Sequence, residues 1–248
     1  MITKTFQRYE LKYLITPQQF TLLQQRLAEM MQPDDYCVNG SYPIYNVYYD
    51  TWDDALIRHS LQKPYYKEKL RMRSYQLPVS RQDPVFLELK KKVGGIVAKR
   101  RAVLPYGEAL RYLEGGPLPQ AGSYEDAQVL REIEYFRTRF TVQPRVFIGY
   151  ERIAYFDRED PQLRISFDFR IRTRRVRPDF LAGGSGTPLL TDGSVLMEIK
   201  CGGAMPLWLC HLLAQQQIYK TSFSKYGAEY TKALAQSALP NAMEGTPC

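Results

Sequence analysis

Lys69-Leu70-Arg71-Met72-Arg73 sets a cation at every second residue, a spacing that a β-strand turns into one charged face and one apolar face. Val85 to Lys90 continues the pattern, with Glu88 and Lys90 on one face and Val85, Leu87 and Leu89 on the other. The stretch from Lys63 to Leu104 holds twelve Lys and Arg against three acids, Glu68, Asp83 and Glu88. Its local charge of +9 exceeds the +8 of the whole chain, so this one segment supplies the entire basic excess.

Half-buried strands ordinarily turn their polar face to solvent. Here the alternation recurs on further stretches. Arg8, Glu10 and Lys12 share a face, as do Tyr150 and Arg152, and Leu196, Glu198 and Lys200. In Leu163 to Thr173, Leu163, Ile165, Phe167, Phe169 and Ile171 form one face and Arg164, Ser166, Asp168, Arg170 and Arg172 the other. Facing inward, Lys12, Lys69, Arg71, Arg73, Lys90, Arg152 and Lys200 would line a lumen. So many like charges require an anion to neutralise them, and phosphate suits both the lysine ammonium and the arginine fork. Glu10, Glu88 and Glu198 then have a use as ligands of a divalent metal that also binds phosphate oxygens.

The elements that must carry these residues are short strands with short, antiparallel connections. At least seven strands are expected among the stretches 6–15, 42–50, the two arms of the basic hairpin that turns at Gln82-Asp83-Pro84, Ile96 to Leu104, 146–156, 163–173 and 194–200. Closure into a barrel removes exposed edges, giving an α+β chain with an antiparallel β-barrel and flanking helices. Thr16-Pro17 opens a helix over 17–31, the chain from Thr51 to Ser60 reads as a turn and short helix, and Glu125 to Phe140 repeats at three or four. Pro105 to Tyr124 reads as loop, and 206–219 and 224–235 as closing helices, before a tail from 237 to 248 expected to be disordered. His59 and His211 sit in expected helices as structural or surface residues.

The length of 248 residues and 44% hydrophobic content suit one globular domain, taken as 1–236. No run of 18 apolar residues exists for a membrane span, and the start lacks a signal-peptide core. The four cysteines show no CxxC spacing, which argues against zinc and disulfides and for reduced thiols in the cytoplasm. A pI near 9.2 points to an anionic partner.

The chain resembles the polyphosphate polymerase domain of the VTC type, within the triphosphate tunnel metalloenzyme superfamily. The resemblance runs in order through Arg8 to Tyr13, Tyr49-Asp50-Thr51, Lys69 to Arg73, Phe86 to Lys92, Lys99-Arg100-Arg101, Tyr150 to Tyr155, Leu163 to Asp168, Met197 to Lys200 and Ser222 to Tyr226. It implies a barrel forming a basic tunnel in which the γ-phosphate of ATP, or of another nucleoside triphosphate, is added to inorganic polyphosphate with Mn2+ or Mg2+. By position it implies that Lys12, Arg71, Arg73, Lys90, Arg152 and Lys225 act on the phosphates. Lys69, Lys99, Tyr150, Lys200 and Ser224 would bind substrate, and Glu198 the metal. Arg8 stands where hydrolytic members carry the first carboxylate of an ExExK pattern, which weakens the hydrolase reading. The phosphate-sensing domain and membrane helices attached to eukaryotic polymerases of this type have no counterpart in the sequence, so a free-standing soluble domain is expected. Two alternatives stay open: hydrolysis of triphosphate or polyphosphate in the same tunnel, and non-enzymatic polyanion binding. The interleaving of cations with acids on strands argues against nucleic acid as the polyanion.

Overall fold

The computed structural model describes residues 9–37, 40–94 and 96–238. Its centre is a ten-stranded antiparallel sheet. The strands are β1 (Tyr9–Ile15), β2 (Met31–Pro33), β3 (Tyr42–Asp50), β4 (Tyr66–Ser74), β5 (Pro84–Val93), β6 (Ile96–Pro105), β7 (Gln143–Asp157), β8 (Arg164–Arg174), β9 (Thr187–Pro188) and β10 (Val195–Cys201). Eight follow the order β1-β10-β8-β7-β3-β4-β5-β6, with β2 on β7 and β9 on β8. Among the described residues six helices flank the sheet: α1 (Pro17–Met30), α2 (Ala55–Leu61), α3 (Tyr106–Leu113), α4 (Tyr124–Arg139), α5 (Leu207–Gln215) and α6 (Lys225–Ala238).

The α+β class and the antiparallel pairing follow the expectation; the closed barrel does not. Among the described residues the pairing begins at β1 and ends at β6 without returning. The sheet is nevertheless strongly curled. Glu10 on β1 feels the charge of Lys90 on β5, six places away in strand order. A short segment before α6 ties the curl together. Thr221 donates its backbone N–H to the Lys12 carbonyl at 2.7 Å, and Ser224 accepts from Lys69 Nζ on β4 at 3.3 Å.

Alternation assigns the two faces of each strand to different tasks. Leu70 and Met72, Leu87 and Leu89, and Ala102 and Leu104 pack under α3 and α4 with Tyr106, Tyr112, Ile133 and Phe136. The facing residues of the same strands are the cations. A second core joins β1, β8 and β10 to α1 and α5 through Tyr13, Leu23, Leu27, Ile165, Phe167, Met197 and Leu209. Each fully buried side chain of this kind contributes about 1.5–3 kcal/mol, so the two outer cores fix which face is left for the charges. α1 starts as expected: Thr16 accepts from the Gln19 N–H at 3.2 Å while Gln19 accepts from the Thr16 N–H at 2.9 Å, a capping box.

Several expectations need correction. The Pro105 to Tyr124 stretch contains α3, whose buried Tyr106, Ala109, Tyr112 and Leu113 make a helical stripe that the surrounding Gly and Pro obscure. α5 ends at Gln215 and α6 runs to Ala238, inside the tail expected to be disordered. Strand residues 6–8, Arg8 among them, and the chain from 239 onward lie outside the described residues. In β8 the single apolar face from Leu163 to Ile171 is broken by a register shift opposite Gly149 to Glu151, with Arg170 at φ 50°. A bulge of this kind turns the following residues over. Ile171 therefore joins the third core with Ile44, Ile148, Leu196 and Tyr226, and exposed Arg170 pairs with Glu151 at 3.0 Å, apart from the charged cluster.

Candidate functional site

Among the described residues the concave face gathers nine cations and four carboxylates from seven strands and the start of α6. Glu88, 1% exposed, is met by Arg71 Nε at 2.6 Å, Lys99 Nζ at 2.6 Å and Arg73 at 3.8 Å. Glu198 is met by Lys12 at 3.2 Å, Arg152 at 3.6 Å and Lys225 at 3.8 Å. Asp168, fully buried, takes both prongs of Arg152 at 2.6 and 2.7 Å and is also paired with Lys225. Glu10 reaches Lys12 at 3.3 Å and Lys200 at 4.0 Å.

These positions follow from strand register. Lys69, Arg71 and Arg73 lie opposite Lys90, Glu88 and Phe86, and Lys90 lies opposite Lys99. Lys12 lies opposite Glu198, and Arg152 opposite Asp168. Lys225 comes from the first turn of α6, where the Ser224 hydroxyl accepts from the Gly227 N–H at 3.3 Å. The helix start adds partial positive charge at the site. All twelve residues named from the sequence (Lys12, Lys69, Arg71, Arg73, Lys90, Lys99, Tyr150, Arg152, Glu198, Lys200, Ser224 and Lys225) thus stand on or beside one surface. Tyr150 contributes a ring face to Lys225 Nζ at 4.4 Å and to Arg152 at 5.5 Å.

The carboxylates neutralise the cations unevenly. Burial works against ionisation of Glu88, yet Arg71, Arg73 and Lys99 hold it well below the carboxylate range. Glu198 is likewise buried but held well below that range by Lys225, Lys12 and Arg152, and Asp168 is held down by Arg152 and Lys225. Lys69 and Lys90 have no carboxylate within ion-pair distance among the described residues. Burial, with Lys67, Lys90 and Lys12 adding repulsion, brings Lys69 down to about 8 against the pull of Tyr48. Burial lowers Lys90 as well, with Lys12 and Arg71 repelling it and Glu10 only partly offsetting this. Lys99 falls to about 7 through burial and the nearness of Arg71 and Arg73, in spite of Glu88. Burial opposes ionisation of Tyr48, but Arg71 and Lys69 draw its hydroxyl down to about 8.

A stability profile should expose this. Lys69, Lys99 and Tyr48 all have lower folded than unfolded values, so the native state binds fewer protons between about pH 7 and about pH 10. The unfolding free energy of the ligand-free protein is therefore expected to rise across that window. Below it, the cost of keeping both lysines charged is present in full. An anion that pairs with Lys69 and Lys99 restores their protons, so tripolyphosphate binding near pH 8 should take up protons and flatten the lysine part of the slope. Melting curves across the window, with and without tripolyphosphate, measure it. A ligand-free profile that falls with pH would contradict the electrostatics.

Some participants escaped the sequence reading. Asp168 sits in the alternation of β8, but only the fold shows that it clamps Arg152 and Lys225. Asn46, buried on β3, accepts from Arg73 Nε at 3.0 Å and donates to the Ile148 carbonyl at 3.0 Å. Tyr48 accepts from Arg71 at 3.0 Å. Arg71 and Arg73 are paired through Glu88; the cations of this face without an ion pair among the described residues are Lys69 and Lys90.

Among the described residues no three His, Cys, Asp or Glu side chains converge as a metal cage. Glu198 and Glu10 do converge on Lys12 Nζ, at 3.2 and 3.3 Å. One or two carboxylates completed by phosphate oxygens is the donor set of Mg2+ or Mn2+ on a triphosphate. The residues fit that use, with the Lys12 ammonium transferred to phosphate.

Comparison with known proteins bears on the family and the fold. The VTC domain family model matches residues 7–234. No curated protein matches the chain. A candidate adenylate cyclase from Bacillus halodurans superposes with a TM-score of 0.52 at 15% identity, covering 88% of this chain and 95% of that one. A candidate adenylate cyclase from Vibrio parahaemolyticus gives 0.43 at 13% identity, over 92% and 97%. The Bacillus likeness bears on the fold alone. Among the described residues no helix is long and apolar enough to cross a membrane.

Proposed function

This chain belongs to the VTC domain family, and from that premise we propose that it synthesises inorganic polyphosphate from ATP in the cation-lined trough. The curled sheet and the 221–225 segment form the walls of a tunnel in this reading, and the protein works in the cytoplasm. The observation that carries it is the pair Lys69 and Lys90. Two half-buried lysines without carboxylate partners among the described residues, beside cations already shared over four carboxylates, call for a ligand with several linked negative charges.

The anionic end of a polyphosphate chain attacks Pγ of ATP. A new P–O bond forms to the acceptor oxygen, the bond from Pγ to the β–γ bridging oxygen breaks, and ADP leaves. Lys69, Lys90, Arg71, Arg73, Lys99 and Lys200 hold phosphate oxygens in line, while Arg152, Lys225 and the Ser224 end of α6 face the transferring group. This is catalysis by positioning and charge stabilisation. Glu198, with Glu10, would hold Mn2+ or Mg2+, which when bound neutralises charge on the triphosphate.

The carboxylates favour transfer over hydrolysis. Glu88, Asp168 and Glu198 are held below the ordinary carboxylate range, which makes them poor bases for activating water. An acceptor phosphate is already anionic and needs no base. Pure protein with ATP and Mn2+ is expected to yield ADP and an acid-labile polymer ladder on a gel, with short polyphosphate removing any lag. Stoichiometric orthophosphate without polymer would overturn synthesis in favour of hydrolysis.

A further inference from the structure

At one end of the charged face stand two large aromatic rings that belong to none of the three apolar cores. Phe86 shares its face of β5 with Glu88 and Lys90 by alternation, and Tyr75 directly follows β4. Their centroids are 5.4 Å apart at 76°. Arg101 lays its guanidinium over the Phe86 ring at 5.0 Å, and Arg73 reaches the Tyr75 ring at 5.9 Å. Tyr75 is 39% and Val103 43% exposed, and Val103 lies directly across from Phe86. An apolar, π-rich surface thus opens to solvent beside phosphate-class cations.

We propose that Tyr75, Phe86 and Arg101 form a stacking platform for the nucleobase of the donor nucleotide. This rests on the reading of the site as one for nucleoside triphosphates, and adds where the nucleoside lies. Phe86 and Lys90 are four residues apart on one strand, about 13 Å at the rise of a β-strand. That is a span suited to the sugar and first phosphates of a nucleotide whose terminal phosphate lies beyond Lys90, toward Lys12, Arg152 and Lys225 around Glu198. Arg73 and Lys99 then fall along the intervening phosphates. Stacking on rings and on an arginine plane needs no particular base edge, since every base has a π-face. The platform should therefore accept purine nucleotides alike, distinguishing them from inorganic tripolyphosphate.

Calorimetric titration of ATP, GTP and tripolyphosphate without divalent metal, so that no turnover occurs, tests this. Wild-type protein is expected to bind ATP and GTP similarly and more tightly than tripolyphosphate. Phe86→Ala should weaken ATP about 5- to 100-fold, the range of a lost base stack, and leave tripolyphosphate unchanged. Phe86→Leu and Tyr75→Leu keep apolar volume without the ring, and should show the same selective loss if Phe86→Ala fails to fold. Equal weakening of ATP and tripolyphosphate, or none for ATP, would overturn the platform. If wild-type protein binds tripolyphosphate as tightly as ATP, the platform falls while the triphosphate site stands. If it binds neither, both readings fall.

Discussion

Replacing Asp168 with alanine is expected to cost about 3–5 kcal/mol of stability, the price of leaving buried charge without its partner. Asp168 is fully buried and compensates two cations at once, Arg152 through a bidentate pair and Lys225. With the carboxylate gone, Glu198 alone remains near both, at 3.6 and 3.8 Å. For a chain of this size the loss corresponds to a melting point lower by roughly 6–20 °C. Added tripolyphosphate should stabilise the variant more than the wild type, because the ligand supplies the missing negative charge. Lys90→Met should behave in the opposite way. It removes a half-buried lysine of depressed pKa with no ion pair among the described residues, so the ligand-free protein gains stability while triphosphate binding weakens. Differential scanning of the two variants with and without ligand provides the comparison. An Asp168→Ala protein as stable as wild type would show that the cluster is hydrated and open rather than desolvated.

Glu198→Gln is expected to lower the rate of ATP conversion by at least about 10²-fold, the scale of losing one charge aimed at the reacting group, while retaining triphosphate binding. The substitution keeps volume and removes the negative charge that Lys12, Arg152 and Lys225 share. Arg152 and Lys225 keep Asp168, so the stability loss should be smaller than for Asp168→Ala. With three cations less engaged, metal-free tripolyphosphate affinity should stay level or rise. Loss of turnover with retained binding separates a role in the reaction from a role in holding the anion. Full activity in Glu198→Gln would move the metal role to Glu10 or Glu88, and loss of binding would make Glu198 an architectural residue.

The two variants draw on different kinds of information. Lys69-Leu-Arg-Met-Arg73 and Met197-Glu-Ile-Lys200 announce charged strand faces because a period of two admits one arrangement of side chains on a pleated strand. That periodicity sufficed for the eight long strands, for the charged face they share and for the outer apolar faces that pack under helices. The α3 helix was obscured because Gly and Pro around it mimic loop composition, although its buried Tyr106, Ala109, Tyr112 and Leu113 lie at helical spacing. The bulge in β8 was invisible for a different reason. Arg170 and Arg172 continue the alternation in the sequence, and only pairing with β7 reveals the extra residue that turns them away from the cluster.

Which cations are compensated is a property of the tertiary structure alone. In one dimension Arg71, Arg73, Lys69 and Lys90 are equivalent members of a basic pattern. In three, the register of β4, β5 and β6 sets Glu88 between Arg71, Arg73 and Lys99, while Lys69 and Lys90 face each other across strands. Strand pairing similarly brings Asp168 to Arg152, and α6 carries Lys225 to the same carboxylate from 57 residues away in the chain. The sequence by itself determined that this protein carries cations on one face of its strands. The fold decided where on that face positive charge is left without a carboxylate partner, because Coulomb energy depends on distance and burial, and neither is written in residue order.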